Sequence, residues 1–375
     1  MIQFVEPVSP RADKKAGGPA PGIGLAVSGG GYRAMLFHLG SFLRLYEVGL
    51  LQRLDRISSV SGGSITAAKI ALEWNKLGTR EDFFEQVVQP VRRLADCTID
   101  WPCAAAGIIL PGEVARYIAR AYRYFLFGGA RLKDLPSTPE FSINATSIET
   151  GALWRFTRLY MGDWRAGYIR EPDLPLSHAV AASSAFPPFL SPYILKVGPD
   201  DFIKRRNADP TLRSNISLSD GGVYDNLGLE RIWKAYRNVL VSDAGAELEQ
   251  QPSPPADWGR HSKRVVDIIY GQVSSLRKRQ LIASFKAPAS HPDKRKGAYW
   301  GIRSEIENYH LPEPLPVEQA RAEELAKIPT RLKRLSPELQ ERLINWGYAI
   351  CDTAIRRHFP QPDMPSTQFP YPIGV

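Results

Sequence analysis

A serine, an aspartate and a run of glycines stand in three short segments of this chain: Ser59-Val60-Ser61-Gly62-Gly63, Asp220-Gly221-Gly222 and Ser28-Gly29-Gly30-Gly31-Tyr32-Arg33. A serine hydroxyl attacks a carbonyl only when a neighbouring base takes its proton. The tetrahedral oxyanion that follows needs preorganised donors, and losing one costs on the order of 100 to 1000-fold in rate. Ser61 lies between a strand-like run and a helical pattern, the context of a nucleophile elbow, where small neighbours such as Gly63 relieve strain and leave Oγ exposed. Gly29, Gly30 and Gly31 can turn several N–H groups toward one anion at a helix start, and Arg33 either orients that loop or adds positive field. Gly221 and Gly222 let another backbone approach Asp220 closely. Together the segments read as an acyl-transfer site.

Histidine is the usual base, and six are available. His38 falls inside a helical pattern, His178 lies in Leu176-Ser177-His178-Ala179, and His261, His291, His310 and His358 sit in C-terminal segments without catalytic pattern. Asp220 is the better base. Its unperturbed pKa of about 3.9 requires partial desolvation to act near neutral pH, and a Ser61/Asp220 dyad is the expected outcome. Taken singly, the triple glycine also suits a phosphate-binding turn. A P-loop would need a following Gly-Lys-Ser/Thr, which is absent. The dinucleotide fingerprint is only partial, because the next strand ends on serine instead of a ribose-binding carboxylate.

The elements that must position these groups are legible. Residues 23–28 read as a buried strand, residues 32–51 as a helix with Met35, Leu36, Leu39, Phe42, Leu43 and Tyr46 at helical spacing, and residues 57–60 as the next strand. This βαβ unit implies a parallel sheet with ligands at the carboxyl ends of its strands. Further strands are expected at 140–146, 153–158, 216–218 and 238–242, so Asp220 follows one and all three segments can meet at one rim. Residues 82–127 are unevenly helical, with Trp101, Pro102, Arg116, Tyr117, Arg120 and Tyr124. Two readings stay open there: a cap over the site that also touches lipid, or a helical insertion with core aromatics and a solvated arginine face. A long helix is expected over 265–286, loops at 294–296 and 312–316, and a last helix from Ser336-Pro337-Glu338 to about His358.

Composition bounds the rest. With 375 residues and 43% hydrophobic content there is material for a large core, and a net charge of +9 favours anionic surfaces or ligands. No hydrophobic stretch approaches the roughly 20 residues of a spanning helix. The N-terminal lead, with Arg11, Asp13, Lys14 and Lys15 among prolines and glycines, lacks the apolar core of a signal peptide. Cys97, Cys103 and Cys351 have neither metal spacing nor a disulfide framework, which points to a reducing cytoplasm.

The order and placement of the three glycine segments resemble the patatin-like phospholipase family, with its glycine-rich oxyanion loop, G-x-S-x-G elbow and D-G-G/A motif. Supporting matches are Asn144-Ala145-Thr146, the run Ala181 to Phe189, and Val223-Tyr224-Asp225-Asn226-Leu227-Gly228. Two departures stand out: Ser59 replaces the first elbow glycine, and Ser28 occupies a place where many members carry aspartate. The resemblance implies a three-layer α/β/α sandwich around a central, mostly parallel sheet. It makes Ser61 the nucleophile, Asp220 the base and Gly29, Gly30 and Gly31 the oxyanion hole. On this reading residues 1–20 are a flexible lead, 21–260 the catalytic domain with a helical cap at 82–127, and 261–375 a helical extension packed on the same domain.

The expected activity is hydrolysis of fatty-acyl esters of membrane phospholipids, of phospholipase A or lysophospholipase type, by a cytoplasmic protein peripheral to the inner face of the membrane. No metal or other cofactor is expected. The alternative implied by the resemblance is a membrane-degrading effector of bacterial antiviral defence, silent until a cyclic nucleotide or an oligomer partner arrives; its sequence support is the basic segments Arg277 to Arg279 and Lys294 to Lys296. A nucleic-acid polymer as partner rests on charge alone and is not expected.

Overall fold

The computed structural model describes residues 19–100, 114–188, 190–203, 210–248, 250–362 and 364–375. The sequence features at Trp101, Pro102, Cys103 and Phe189, and most of the expected N-terminal lead, lie outside the described residues. Among the described residues eleven strands form one mixed sheet. In chain order they are β1 (Ala20–Val27), β2 (Arg56–Val60), β3 (Glu140–Ser147), β4 (Ala152–Phe156), β5 (Tyr160–Asp163) and β6 (Gly167–Arg170). They continue with β7 (Tyr193–Lys196), β8 (Phe202–Ile203), β9 (Asn215–Asp220), β10 (Tyr236–Asp243) and β11 (Lys296–Gly301). The centre, β11-β10-β1-β2-β3, is parallel. Antiparallel strands β4, β5, β6 and β8 extend it beyond β3. The main helices are α1 (Gly31–Glu47), α2 (Gly62–Glu73), α3 (Val114–Tyr122), α4 (Leu176–Ser183), α5 (Trp258–Lys286) and α6 (Pro337–His358).

The sheet is buried on both faces, and successive side chains divide between two clusters as the strand period requires. Leu25 and Val27 of β1 and Leu240 of β10 join the large cluster shared with α1, α2 and α6. Ala26, Val239 and Val241 point the other way, toward Leu227, Leu229, Ile232 and Leu281 of α5. Helices thus cover both faces of a mixed sheet with a parallel centre.

The C-terminal third is more than the helical extension expected of it. Its expected boundary at 260 falls inside α5, and Lys296, expected in a loop, opens β11, which pairs with β10. α6 begins as its sequence suggests, with Ser336 Oγ accepting from the Leu339 N–H at 3.3 Å. It lies across α1 so closely that a Cβ on Gly40 would overlap the Ile344 carbonyl, and one on Gly347 that of Phe37. This contact buries α1 on the side that its amphipathic pattern leaves for water. Polar residues there are matched: Arg44 Nε donates to Asp352 Oδ1 at 2.9 Å with both side chains nearly inaccessible. Asp352→Ala leaves Arg44 buried without its main counter-charge, and the expected loss is about 3 kcal/mol or more. Urea unfolding measures it, and a loss below about 1 kcal/mol would refute the clamp.

Candidate active site

β2 and β9 run toward each other along the same edge of β3. Val60, the last residue of β2, pairs with Asn144, and Asp220, the last of β9, pairs with the next residue, Ala145. Where the two strands abut, the chain turns at Ser61 and at Gly221, so the hydroxyl and the carboxylate are brought together by sheet register.

Ser61 has φ 51° and ψ −121°, a conformation that non-glycine residues rarely adopt and that is held only by surrounding structure. Its N–H donates to Ser183 Oγ of α4 at 3.0 Å, and that hydroxyl donates to the Asn144 carbonyl at 2.6 Å. Ser64 Oγ lies 2.9 Å from Ser183 Oγ and donates to Ser59 Oγ at 3.0 Å. The serine in place of the first elbow glycine is therefore absorbed into a buried serine cluster. Ser28, the other departure, accepts the Ala244 N–H at 2.7 Å and ties the end of β1 to the end of β10.

The glycine turn rests directly against the elbow. A Cβ on Gly29 would lie 3.0 Å from Ser61 Cβ, and one on Gly62 would overlap the Gly31 carbonyl. Gly30 and Gly31 have φ of 146° and 60°, which favour glycine over any residue with a side chain. The structure differs from the expected three-glycine donor set at Gly29. The Gly29 N–H is spent on the Asn226 carbonyl at 3.1 Å, because the turn must be tied to the segment after Asp220. Gly30 and Gly31, at the cap and first turn of α1, and Gly62, the first residue of α2, are the helix-start donors beside Ser61. Gly63, Gly221 and Gly222 sit against the Ser28 carbonyl, the Asn144 carbonyl and the Tyr270 hydroxyl. Arg33 ties the first turn of α1 to distant segments: its Nη2 donates to the Ala244 carbonyl at 2.9 Å and to Thr330 Oγ1 at 3.2 Å, and Nη1 bonds the Ile328 carbonyl.

Asp220 is 1% exposed. Its Oδ1 accepts the Gly222 N–H at 2.7 Å, while Oδ2 has no hydrogen-bond partner among the described residues. Burial pushes the carboxyl up to about 6, against the Gly222 N–H and the nearby Ser61 hydroxyl, which hold it down. The side chain is a carboxylate at neutral pH with one oxygen uncommitted. Tyr270, above Gly222, is kept neutral by burial and by the charges of Asp220, Asp225 and Asp243.

No histidine lines this pocket among the described residues. His38 lies beneath the glycine turn, its Nε2 3.0 Å from the Ser28 carbonyl and its Nδ1 2.8 Å from Ser242 Oγ, and burial pushes its pKa down to about 4. It is a neutral structural strut. His178 Nδ1 is held 2.7 Å from the Tyr193 hydroxyl. Nor does any group of three His, Cys, Asp or Glu form a metal-binding cluster among the described residues.

The pocket over Ser61 and Asp220 has a volume of about 580 Å³. Phe186, Pro187, Pro188, Leu190 and Leu332 give it apolar walls, and its polar lining includes Lys263, Arg264 and Arg331 together with Asp100, Glu247 and Asp267. Of the 82–127 stretch only Asp100 lines it among the described residues. α3 instead packs on α4, with Tyr122 Oη 3.1 Å from Ser184 Oγ. Further lining comes from α5 and residues 330–332. A larger groove, about 790 Å³, lies at the opposite rim near Arg53 and Lys296 and contains neither serine nor aspartate.

A family model described as Patatin-like phospholipase matches residues 25–233, more than half of the chain and all of the groups just described up to β9 and its turn. The chain belongs to the patatin-like phospholipase family. No curated protein matches it in sequence. Among solved structures, human GIVD cytosolic phospholipase A2 is similar, with a TM-score of 0.54 and 13% identity over 89% of this chain and 61% of that one. The same human protein in complex with methyl gamma-linolenyl fluorophosphonate gives a TM-score of 0.52 at 14% identity, over 89% and 57%. VipD from Legionella pneumophila gives 0.37 at 15% identity, over 90% and 67%. This chain thus spans about three fifths of the length of the human enzyme it resembles in fold.

Within this patatin-like frame, several contributors were not singled out by sequence. Ser183 and Asn226 stood in the matched motifs, yet only the contacts reveal that one anchors the Ser61 amide and the other the Gly29 amide. Tyr270 and residues 330–332 carry no local signal, being close to the site only through folding. The basic segments are largely committed elsewhere: Arg277 Nη1 pairs with Glu230 at 2.8 Å and Lys278 with Asp243 at 2.6 Å. Lys294 and Arg295 bond the carbonyls of Phe285 and Trp233 at 2.7 and 3.0 Å.

Proposed function

We propose that this protein is a serine lipid acyl hydrolase that cleaves fatty-acyl esters of phospholipids through a Ser61/Asp220 dyad. The observation that carries the reading is the abutment of β2 and β9 along β3, which sets a strained serine beside a buried carboxylate whose Oδ2 is uncommitted. Ser61 Oγ attacks the ester carbonyl carbon while Asp220 takes its proton. The carbonyl oxygen becomes an oxyanion bound by the N–H groups of Gly30 and Gly31, joined by that of Gly62. Collapse expels the lysolipid or glycerol oxygen, which takes the proton back from Asp220. Water, deprotonated by the same carboxylate, then attacks the acyl-enzyme carbonyl; the bond to Ser61 Oγ breaks, Asp220 returns the proton to that oxygen, and the fatty acid is freed. The apolar walls suit an acyl chain, and the polar lining carries both signs, with Lys263 paired to Asp267 and Arg331 to Asp100. Among the described residues Cys97 and Cys351 are free thiols, in keeping with a cytoplasmic protein that works at the inner membrane face.

Profiling of lipids after incubation with phospholipid vesicles tests the substrate class. Free fatty acid and lysophospholipid are expected in equal amounts at the start of the reaction. Cleavage of soluble esters with no release from any phospholipid would sink the phospholipid assignment.

A further inference from the structure

α5 spans 29 residues, of which only Leu281 and Ser284 are buried. Its C-terminal half is fastened to the body. Lys278 pairs with Asp243, whose carboxyl burial alone would raise but which Lys278 and the Gly245 and Tyr299 donors hold at about 2. Arg277 pairs with Glu230, and Leu281 enters the second core cluster. The N-terminal half is different. Lys263, Arg264, Asp267, Tyr270 and Gly271 line the pocket. On the other side of the helix, Trp258 is 86% exposed, Ile269 58%, Leu276 57%, Val266 53% and Val265 41%.

This apolar exposure is not scattered. Six of the ten large hydrophobic side chains exposed among the described residues lie on α5, which a solvated helix would not maintain without a partner. Trp258, Val265, Ile269 and Leu276 follow at intervals of seven, four and seven residues, so at about 100° per residue they fall within about 40° of one another and opposite Asp267 and Lys278. The stripe is about 27 Å long by the helical rise. Seven Lys or Arg accompany one acidic residue, Asp267, on the same helix. Arg260, Lys263, Arg277 and Lys278 are held in ion pairs, so the attraction to anionic headgroups comes from the net positive charge of the helix and of the chain, while the apolar stripe with its terminal tryptophan fits the boundary between headgroups and acyl chains.

We infer that α5 is an interfacial anchor: its exposed stripe lies in the surface of an anionic phospholipid bilayer and thereby holds the pocket one helix width from the lipid. The inference rests on the lipid-hydrolase reading above and adds the surface through which substrate is reached. One helix serves both ends, since the residues that line the pocket alternate along it with those that face away. A lipid leaving the bilayer beside the stripe meets the pocket across the width of a single helix.

The test separates anchoring from chemistry. Sedimentation with mixed phosphatidylcholine–phosphatidylglycerol vesicles is measured on the full chain carrying Ser61→Ala, which reports binding without turnover, with and without Val265→Glu and Ile269→Glu. Placing two charges where apolar groups enter the bilayer is expected to weaken binding about 100-fold. In the chain with native Ser61, the same two substitutions leave hydrolysis of p-nitrophenyl butyrate, a soluble ester, within about twofold, because neither residue touches the pocket. Unaltered circular dichroism and thermal midpoint certify the fold. Equal sedimentation of the two proteins overturns the inference, as does a concentration-dependent dimer that Ile269→Glu dissolves, which would assign the stripe to a second copy of the chain. Failure of soluble-ester hydrolysis by the native protein would instead strike the catalytic reading, while the sedimentation result still decides the anchor.

Discussion

Ser61→Ala is expected to lower ester hydrolysis by about 10⁴-fold or more and to abolish labelling by a fluorophosphonate probe. The expectation rests on position: Ser61 shares one pocket with Asp220, whose Oδ2 is uncommitted, and with Gly30 and Gly31. Its fold should survive, because the Ser61 N–H, not its hydroxyl, makes the bond to Ser183. A companion variant adds a second readout. At φ 51° the backbone of Ser61 is strained by roughly 1–3 kcal/mol, and Ser61→Gly relieves part of it. Glycine's extra freedom in the unfolded chain offsets some of the gain, so a rise in thermal midpoint of about 2 °C is expected alongside the loss of activity. Labelling or turnover retained in Ser61→Ala would eliminate the nucleophile assignment, and a destabilised Ser61→Gly would contradict the strain.

Asp220→Asn is expected to cost about 10³- to 10⁴-fold in kcat/KM while stabilising the protein above pH 6. The rate follows from the base being needed as a carboxylate. With the carboxyl pushed up to about 6, native kcat/KM should rise with pH through that value and then level off. Stability moves in the opposite direction. A carboxyl raised from 3.8 to about 6 binds its proton more tightly when folded, so its stabilising contribution is complete below pH 3.8 and is lost as pH rises through about 6. At pH 8 the native protein therefore carries a buried charge that the Asp220→Asn variant lacks, worth on the order of 1–3 kcal/mol. The amide can still accept the Gly222 N–H and donate to Ser61. Chemical denaturation at pH 4 and pH 8 reads the difference, expected to favour the variant only at the higher pH. An equal effect at both pH values would refute the elevated carboxyl, and a variant retaining activity would exclude Asp220 as base.

Together these results would describe a site that trades stability for reactivity at both partners. Ser61 is held off its preferred backbone conformation, and Asp220 is kept out of water with half of its hydrogen-bonding capacity unused. Neither arrangement is local. The serine is fixed by Ser183 from α4 and the glycine turn by Asn226 from the segment after β9.

The sequence by itself determined the parallel β1-α1-β2 unit, the turn at Ser61 and the start of α6. Each depends on neighbours a few residues apart: apolar period, glycines that alone fit a tight turn, a serine before a proline. It also pointed to Asp220 by motif. Only the tertiary structure decided that β9 meets β2 end to end along β3, that the Gly29 amide is consumed by Asn226, and that α6 buries the outer side of α1. It likewise decided that α5 and residues 330–332 help to wall the pocket. Those outcomes depend on contacts between segments from about 80 to 300 residues apart, such as Val60 with Asn144, Gly29 with Asn226 and Arg44 with Asp352. Periodicity records which face of an element is apolar; it does not record which distant element will cover that face, and hydrogen-bond donors are allotted only when that partner arrives.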